Sequence, residues 1–143
     1  MTTIRKARKE DLPVVLQLLD ESSLPKAGVE QHFENFFVAE DGGDVIGAIG
    51  VEIYGDVGLL RSAVVRKELQ RQGIGKQLYQ TLVTVAKSIG IKRLILLTTT
   101  AADYFAQKGF RVIDKAMVQG PVTSSAEFTG ACPKSATCME LML

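Results

Sequence analysis

The sequence has no tryptophan, a single histidine (His32) and only two cysteines, Cys132 and Cys138, among 143 residues. Two cysteines are too few for the disulfide framework of a small secreted fold. Their Cys-x5-Cys spacing matches no zinc pattern, so a structural role is the better reading for both, and no metal is expected. One histidine gives poor support to Ser-His-Asp or multi-histidine metal chemistry, and His32 reads as a surface residue of a short helix. An excess of charge is also missing: 17 Lys and Arg stand against 16 Asp and Glu. No basic field exists to draw nucleic acid, which is therefore not expected as a partner. No stretch approaches the ~18 to 20 apolar residues of a membrane span. The opening MTTIRKARKEDLPVV puts charges where a signal peptide needs an apolar segment. A cytoplasmic protein with no membrane partner is expected.

Repeats and low-complexity linkers are lacking too. With 46% hydrophobic residues, a chain of this length fills one core, so residues 1–143 read as a single domain. The predicted elements begin with a short strand from Thr3 to Ala7. Leu12, Val15, Leu16 and Leu19 then fall at helical spacing between Lys9 and Glu21, with Pro13 tolerable near the start. A short helix follows from Val29 to Glu34. Phe36 to Glu40 and Val45 to Tyr54 are β-rich and separated by a hairpin signal, Asp41-Gly42-Gly43-Asp44. Leu59 to Val65 completes an antiparallel meander. A helix from Gly73 to Ser88, a buried strand from Arg93 to Thr98, a helix opened by Thr100 and Asp103 and ended at Gly109, and a strand starting at Phe110 come next. Asp114 to Thr137 is weakly periodic, and Cys138 to Leu143 reads as a terminal strand. This order predicts an α+β fold with a mixed, mostly antiparallel central sheet and helices on its faces.

Gln70-Arg71-Gln72-Gly73-Ile74-Gly75-Lys76 follows a strand and opens a helix, so amide N–H groups and the helix dipole converge where an anion can be held. The spacing is neither that of a nucleotide P-loop nor the three-glycine dinucleotide fingerprint. Together with the preceding Leu60-Arg61-Ser62-Ala63-Val64-Val65, it resembles the strand and pyrophosphate loop of GNAT acetyltransferases. Tyr104-Phe105-Ala106-Gln107-Lys108-Gly109-Phe110 is similar to the aromatic helix end and Gly-Phe turn downstream in that superfamily. Further segments, Glu52 to Gly55, Leu97 to Ala101, Glu127-Phe128 and Cys132 to Met139, resemble a small GNAT subgroup encoded with arsenic-resistance genes. The Thr-Thr-Ala segment through Gly-Phe is similar to the acetyltransferase domain of N-acetylglutamate synthases.

The resemblance implies acetyl-CoA as co-substrate and a small amino acid-like amine, or an arsenic-containing or other toxic analogue, as acceptor. It places main-chain groups of Ala63, Val64 and Val65 on the pantetheine arm and the thioester oxygen. Gln70 and the amides from Arg71 to Lys76, by way of Gln72, Gly73, Ile74 and Gly75, hold the pyrophosphate, with Tyr104 and Phe105 also at the coenzyme. The usual proton-donor tyrosine is replaced by Phe105, and Tyr104 is turned about 100° from it around a helix.

Glu52, a charge in an otherwise apolar strand, is the candidate base, acting directly or through water. Strand alternation puts it on one face with Ala48, Gly50 and Tyr54, where the small residues could leave room for a substrate. Arg61 is a candidate for a substrate carboxylate, with Ser62 the alternative polar contact. As strand neighbours the two should point to opposite faces, and only one should line a given pocket. The segment Asp114 to Thr137 can cover the acceptor site or join a homodimer. The competing reading is an acyl-CoA-binding or metalloid-responsive module without chemistry.

Overall fold

The computed structural model describes residues 2–131 and 135–143. Cys132, and with it the reading of the cysteine pair, lies outside the described residues. The chain runs β1 (Thr2–Lys6), α1 (Leu12–Glu21), α2 (Val29–His32), β2 (Phe36–Asp41), β3 (Asp44–Tyr54) and β4 (Val57–Val65). It continues α3 (Ile74–Ser88), β5 (Arg93–Thr98), α4 (Ala102–Gln107), β6 (Arg111–Ile113) and β7 (Thr137–Met142). One sheet takes the order β1-β2-β3-β4-β5-β7-β6. Every neighbouring pair is antiparallel except β4 with β5. The predicted α+β architecture is the one that forms.

Strand alternation sorts the core onto two faces. Phe36 and Val38 point to one side, where Val15, Leu18 and Leu19 of α1 meet them. Phe37 and Ala39 point to the other, against Leu78, Leu82 and Ala86 of α3. Leu19, Leu78 and Leu82 are almost wholly withdrawn from water, each stabilising the fold by roughly 1.5–3 kcal/mol. These contacts explain why α1 and α3 form where the helical spacing predicts them. The first helix starts with a 3-10 turn over Lys9–Asp11. That turn is anchored by Asp11, which accepts from the N–H of Arg8 at 2.7 Å and from the guanidinium of Arg5 at 2.8 and 3.1 Å.

One local expectation is corrected. Thr100 does not cap α4: the hydroxyl of Thr98, at the end of β5, accepts from the N–H of Ala101 at 2.9 Å instead. The described residues of the weakly periodic segment, 114–131 and 135–137, are partly ordered into turns. They form 3-10 turns at Lys115–Met117 and Pro121–Ser124 and a turn over Glu127–Ala131 that is kinked at Gly130, φ 137°. Val118 and Val122 from this stretch pack on Leu59, Ile95, Leu97 and Cys138, so it covers the sheet beside α1. Among the described residues, no helix is long and apolar enough to cross a membrane.

Candidate active site

Two irregularities of β4 make the site. Opposite Ile49 of β3, β4 carries two residues, Ser62 and Ala63, because the register shifts between the Ala48–Val64 and Gly50–Arg61 pairs. This is a β-bulge, with Ser62 at φ 59°, a conformation a non-glycine residue adopts at some cost. The extra residue resets the alternation: Leu60 and Val65 pack toward α3, while Val64 joins the α1 side. The second irregularity is that β4 and β5 pair only over Val57–Leu59 with Arg93–Ile95. Beyond that point the strands separate, and a cavity opens on either side of the split, of about 470 Å³ and about 330 Å³. Ala63, Val64, Val65, Gln70, Ala101 and Phe105 belong to both walls, so the two cavities meet at the bulged strand.

The larger cavity lies against the start of α3. Arg71, Gly73, Gly75 and Lys76 line it. Gly73 takes φ 86° as the residue before the helix, which only glycine adopts cheaply, and no side chain caps this terminus. Gln77 is the first residue to donate back to Gly73, at 3.1 Å, leaving the N–H groups of Ile74, Gly75 and Lys76 without an intrahelical acceptor. Bare amides, the dipole of a 15-residue helix and two basic side chains converge on one wall, the chemistry of an anion site. Gln72 lines neither cavity, and the Ile74 side chain is buried in the core, so only its backbone can serve.

Tyr104 and Phe105 both reach the larger cavity despite their angular separation, because Phe105 sits buried at the junction and Tyr104 stands half-exposed beside it. The Phe105 ring is held edge-on by Tyr104 at 5.2 Å and by Phe110 at 5.5 Å. Lys108, which the sequence reading missed, lines the same cavity with its ammonium 5.3 Å from the centre of the Tyr104 ring and 5.6 Å from that of Tyr79.

The smaller cavity is backed by a buried charge cluster. Glu52 is fully buried, and Arg61 Nη1 donates to its Oε2 at 2.7 Å. The same guanidinium donates through Nη2 to the carbonyl of Pro25 at 3.2 Å and through Nε to Ser62 Oγ at 3.0 Å. Its Nε lies 3.5 Å from Glu127 Oε2. On the far side, the Tyr54 hydroxyl donates to Glu52 Oε1, and His32 Nε2 lies 3.6 Å from that oxygen. Burial pushes the Glu52 carboxyl up, but hydrogen bonds from Tyr54, Arg61 and Ser125 and the nearby His32 prevail and hold it below the usual carboxylate value. Burial and the adjoining Glu52 raise Tyr54 to about 12.

This arrangement bears on four expectations. Arg61 and Ser62 are not alternatives: the bulge turns both into the smaller cavity. Glu52 and Tyr54 line neither cavity, and Glu52 stands behind Arg61, to which it is hydrogen-bonded. The space beside Gly50 is filled by the Phe36 ring, 2.3 Å from where a Cβ would sit. His32 is no mere surface residue but faces Glu52 with a side chain only 27% exposed. Glu127 enters the sequence reading only within the Glu127-Phe128 resemblance and with no site role, since its segment has no periodicity to place it. Cys138 is buried in β7, and burial raises its thiol pKa. Among the described residues, no group of three His, Cys, Asp or Glu could hold a metal.

Comparison with known proteins agrees with this geometry. The acetyltransferase (GNAT) family matches residues 2–111. An amino-acid acetyltransferase of Neisseria meningitidis is 28% identical over 118 residues, covering 76% of this chain and 27% of the relative. The chain thus spans about a quarter of that protein's length. An amino-acid acetyltransferase of Mycobacterium tuberculosis is 28% identical over 130 residues, covering 83% of this chain and 74% of the relative. The fold superposes on N-acetylglutamate synthase from Neisseria gonorrhoeae, solved with coenzyme A and N-acetyl-glutamate, with a TM-score of 0.84 at 23% identity, over 100% of this chain and 35% of that one. A bulged, half-unpaired strand beside an uncapped helix start, in a sequence matched over most of its length, identifies the chain as a member of the acetyltransferase (GNAT) family.

Proposed function

We propose that residues 1–143 work as one unit that transfers acetyl from acetyl-CoA to the amine of a small amino acid-like acceptor. The observation that carries this reading is the meeting of two cavities at the bulged stretch of β4. One holds the coenzyme and the other the acceptor. The free main-chain edge of Ala63 to Val65 pairs with the pantetheine arm and turns an amide to the thioester oxygen, where charge develops. The N–H groups from Arg71 to Lys76 hold the pyrophosphate, and the Arg71 and Lys76 side chains add charge outside it. The acceptor contacts Arg61 and Ser62. Glu52 and Tyr54 act on it through Arg61, as positioning residues that fix the guanidinium.

An amino-acid acceptor is supported by the two amino-acid acetyltransferase relatives and by the amino-acid product bound to the gonococcal enzyme. The finer reading, an arsenic-containing or other toxic analogue, is supported by the sequence resemblance alone. Phe105 at the junction favours a second reading, a coenzyme-binding module that transfers nothing. Loss of a donor there does not forbid chemistry, since a thiol of pKa ~8.5 leaves readily as thiolate. The test is release of coenzyme A from acetyl-CoA against a panel of amino acids, amino-acid analogues and short peptides, with product mass confirmed. Product from one small acceptor is expected; coenzyme binding with no product from any amine turns the assignment to the second reading.

A further inference from the structure

Acylation of an amine needs a proton acceptor, because an ammonium has no lone pair with which to attack. Among the described residues lining the two cavities, Glu127 is the one carboxylate, and no histidine lines either. Its side chain is only 4% exposed and forms part of the smaller cavity's wall with Arg61 and Ser62. The turn that carries it is braced: the N–H of Glu127 donates to Ser125 Oγ at 3.2 Å, and those of Phe128 and Thr129 to the Ser125 carbonyl at 3.0 Å each.

Arg61 Nε stands 3.0 Å from Ser62 Oγ and 3.5 Å from Glu127 Oε2. The carboxylate is therefore one guanidinium away from the bulge where the cavities meet. The groups near it include Arg61 from β4 and, behind Arg61, Glu52 and Tyr54 from β3 and His32 from α2. Glu52 balances that guanidinium from behind, so the charge an ammonium meets beside Ser62 in the smaller cavity is the Glu127 carboxylate.

We propose that Glu127 is the catalytic base that takes the proton of the acceptor's ammonium. This rests on the acetyl-transfer reading above. The ammonium N–H bond breaks and its proton passes to a Glu127 oxygen. The freed lone pair then forms the N–C bond to the thioester carbon, and the carbonyl electrons move to oxygen. The intermediate collapses with cleavage of the C–S bond, its nitrogen releases a second proton that the leaving thiolate takes up, and Glu127 returns its proton to water. Amide and coenzyme A thiol result, with one proton released.

The test compares the parent protein with Glu127→Gln and Glu127→Asp on the same amine panel, measuring kcat across pH, coenzyme A affinity and melting temperature. Glu127→Gln is expected to lower kcat by about 10²- to 10⁴-fold, to lose the acidic limb of the pH profile and to keep coenzyme affinity. Formate added to Glu127→Ala is expected to restore part of the rate, which a structural role would not produce. A Glu127→Gln rate within fivefold of the parent overturns the role and leaves acetyl transfer standing. A parent that binds coenzyme but acetylates no amine removes both readings. Should Glu127→Gln lose coenzyme binding or melt early, Glu127→Asp decides: a lowered kcat in a protein that melts normally supports the base, and an unchanged kcat overturns it.

Discussion

Arg61 is the side chain on which the site turns. It is wholly buried, pairs with Glu52 at 2.7 Å and still forms part of the smaller cavity's wall. A buried ion pair is costly to desolvate, and removing one partner leaves an uncompensated charge, which costs about 3–5 kcal/mol. Glu52→Gln is therefore expected to lower the melting temperature by several degrees and raise the acceptor KM, while coenzyme affinity stays within twofold, because Glu52 does not line the coenzyme cavity. Thermal melts and coenzyme titration check both halves. Equal losses in coenzyme and acceptor binding would contradict a role exercised through Arg61. The sequence marks Glu52 as out of place in an apolar strand. It does not reveal the partner, because strand register puts Leu59 opposite Glu52 and Arg61 opposite Gly50, so the pair forms diagonally across the sheet.

Among the elements, β4 and α3 frame the larger cavity. The bulge at Ser62 and the early parting of β4 from β5 leave main-chain groups open, and α3 begins with bare N–H groups beside them. Gly75 sits in this first turn, where an added Cβ would meet only Val65 Cγ2 at 3.8 Å and Tyr104 Oη at 4.0 Å. Gly75→Ala should thus melt no lower than the parent, alanine being the better helix former. Its methyl group projects into the space claimed for the coenzyme, so affinity is expected to fall about tenfold, or ~1.4 kcal/mol. Calorimetric titration with coenzyme A measures it, and unchanged affinity would place the coenzyme elsewhere. The loop was legible because glycines before a helix have a backbone reason. The bulge was not, since Arg61-Ser62-Ala63 reads as an ordinary strand and its left-handed serine depends on the partner strand.

For the molecule as a whole, carboxylates tie distant parts of the sheet together. Asp11 is held well below its usual pKa, first by its hydrogen bonds with Arg5, and Glu140 is lowered by Arg111 and Arg93 against the opposing effect of burial. Arg5 also reaches Glu40 at 2.9 Å, while Glu140 joins β7 to β5 and β6. A carboxylate whose folded pKa is depressed contributes stability above its unfolded pKa of about 4, and loses it as pH falls through the folded value. The melting temperature should accordingly be flat above about pH 5 and drop below about pH 4, with a smaller drop in Asp11→Asn. Circular dichroism melts across pH test this; a profile flat to pH 2 would deny these pairs any part in stability.

The sequence by itself determined the two-faced core, the strand order along the chain and the anion-binding start of α3, because periodicity and backbone-demanding residues are local properties. Only the tertiary structure decided which charges cluster behind and around the smaller cavity. His32, Glu52, Arg61 and Glu127 come from α2, β3, β4 and an aperiodic turn. What brings them within reach of one another is a one-residue bulge and the folding of residues 115–131 over the sheet, neither of which has a repeating pattern to announce it.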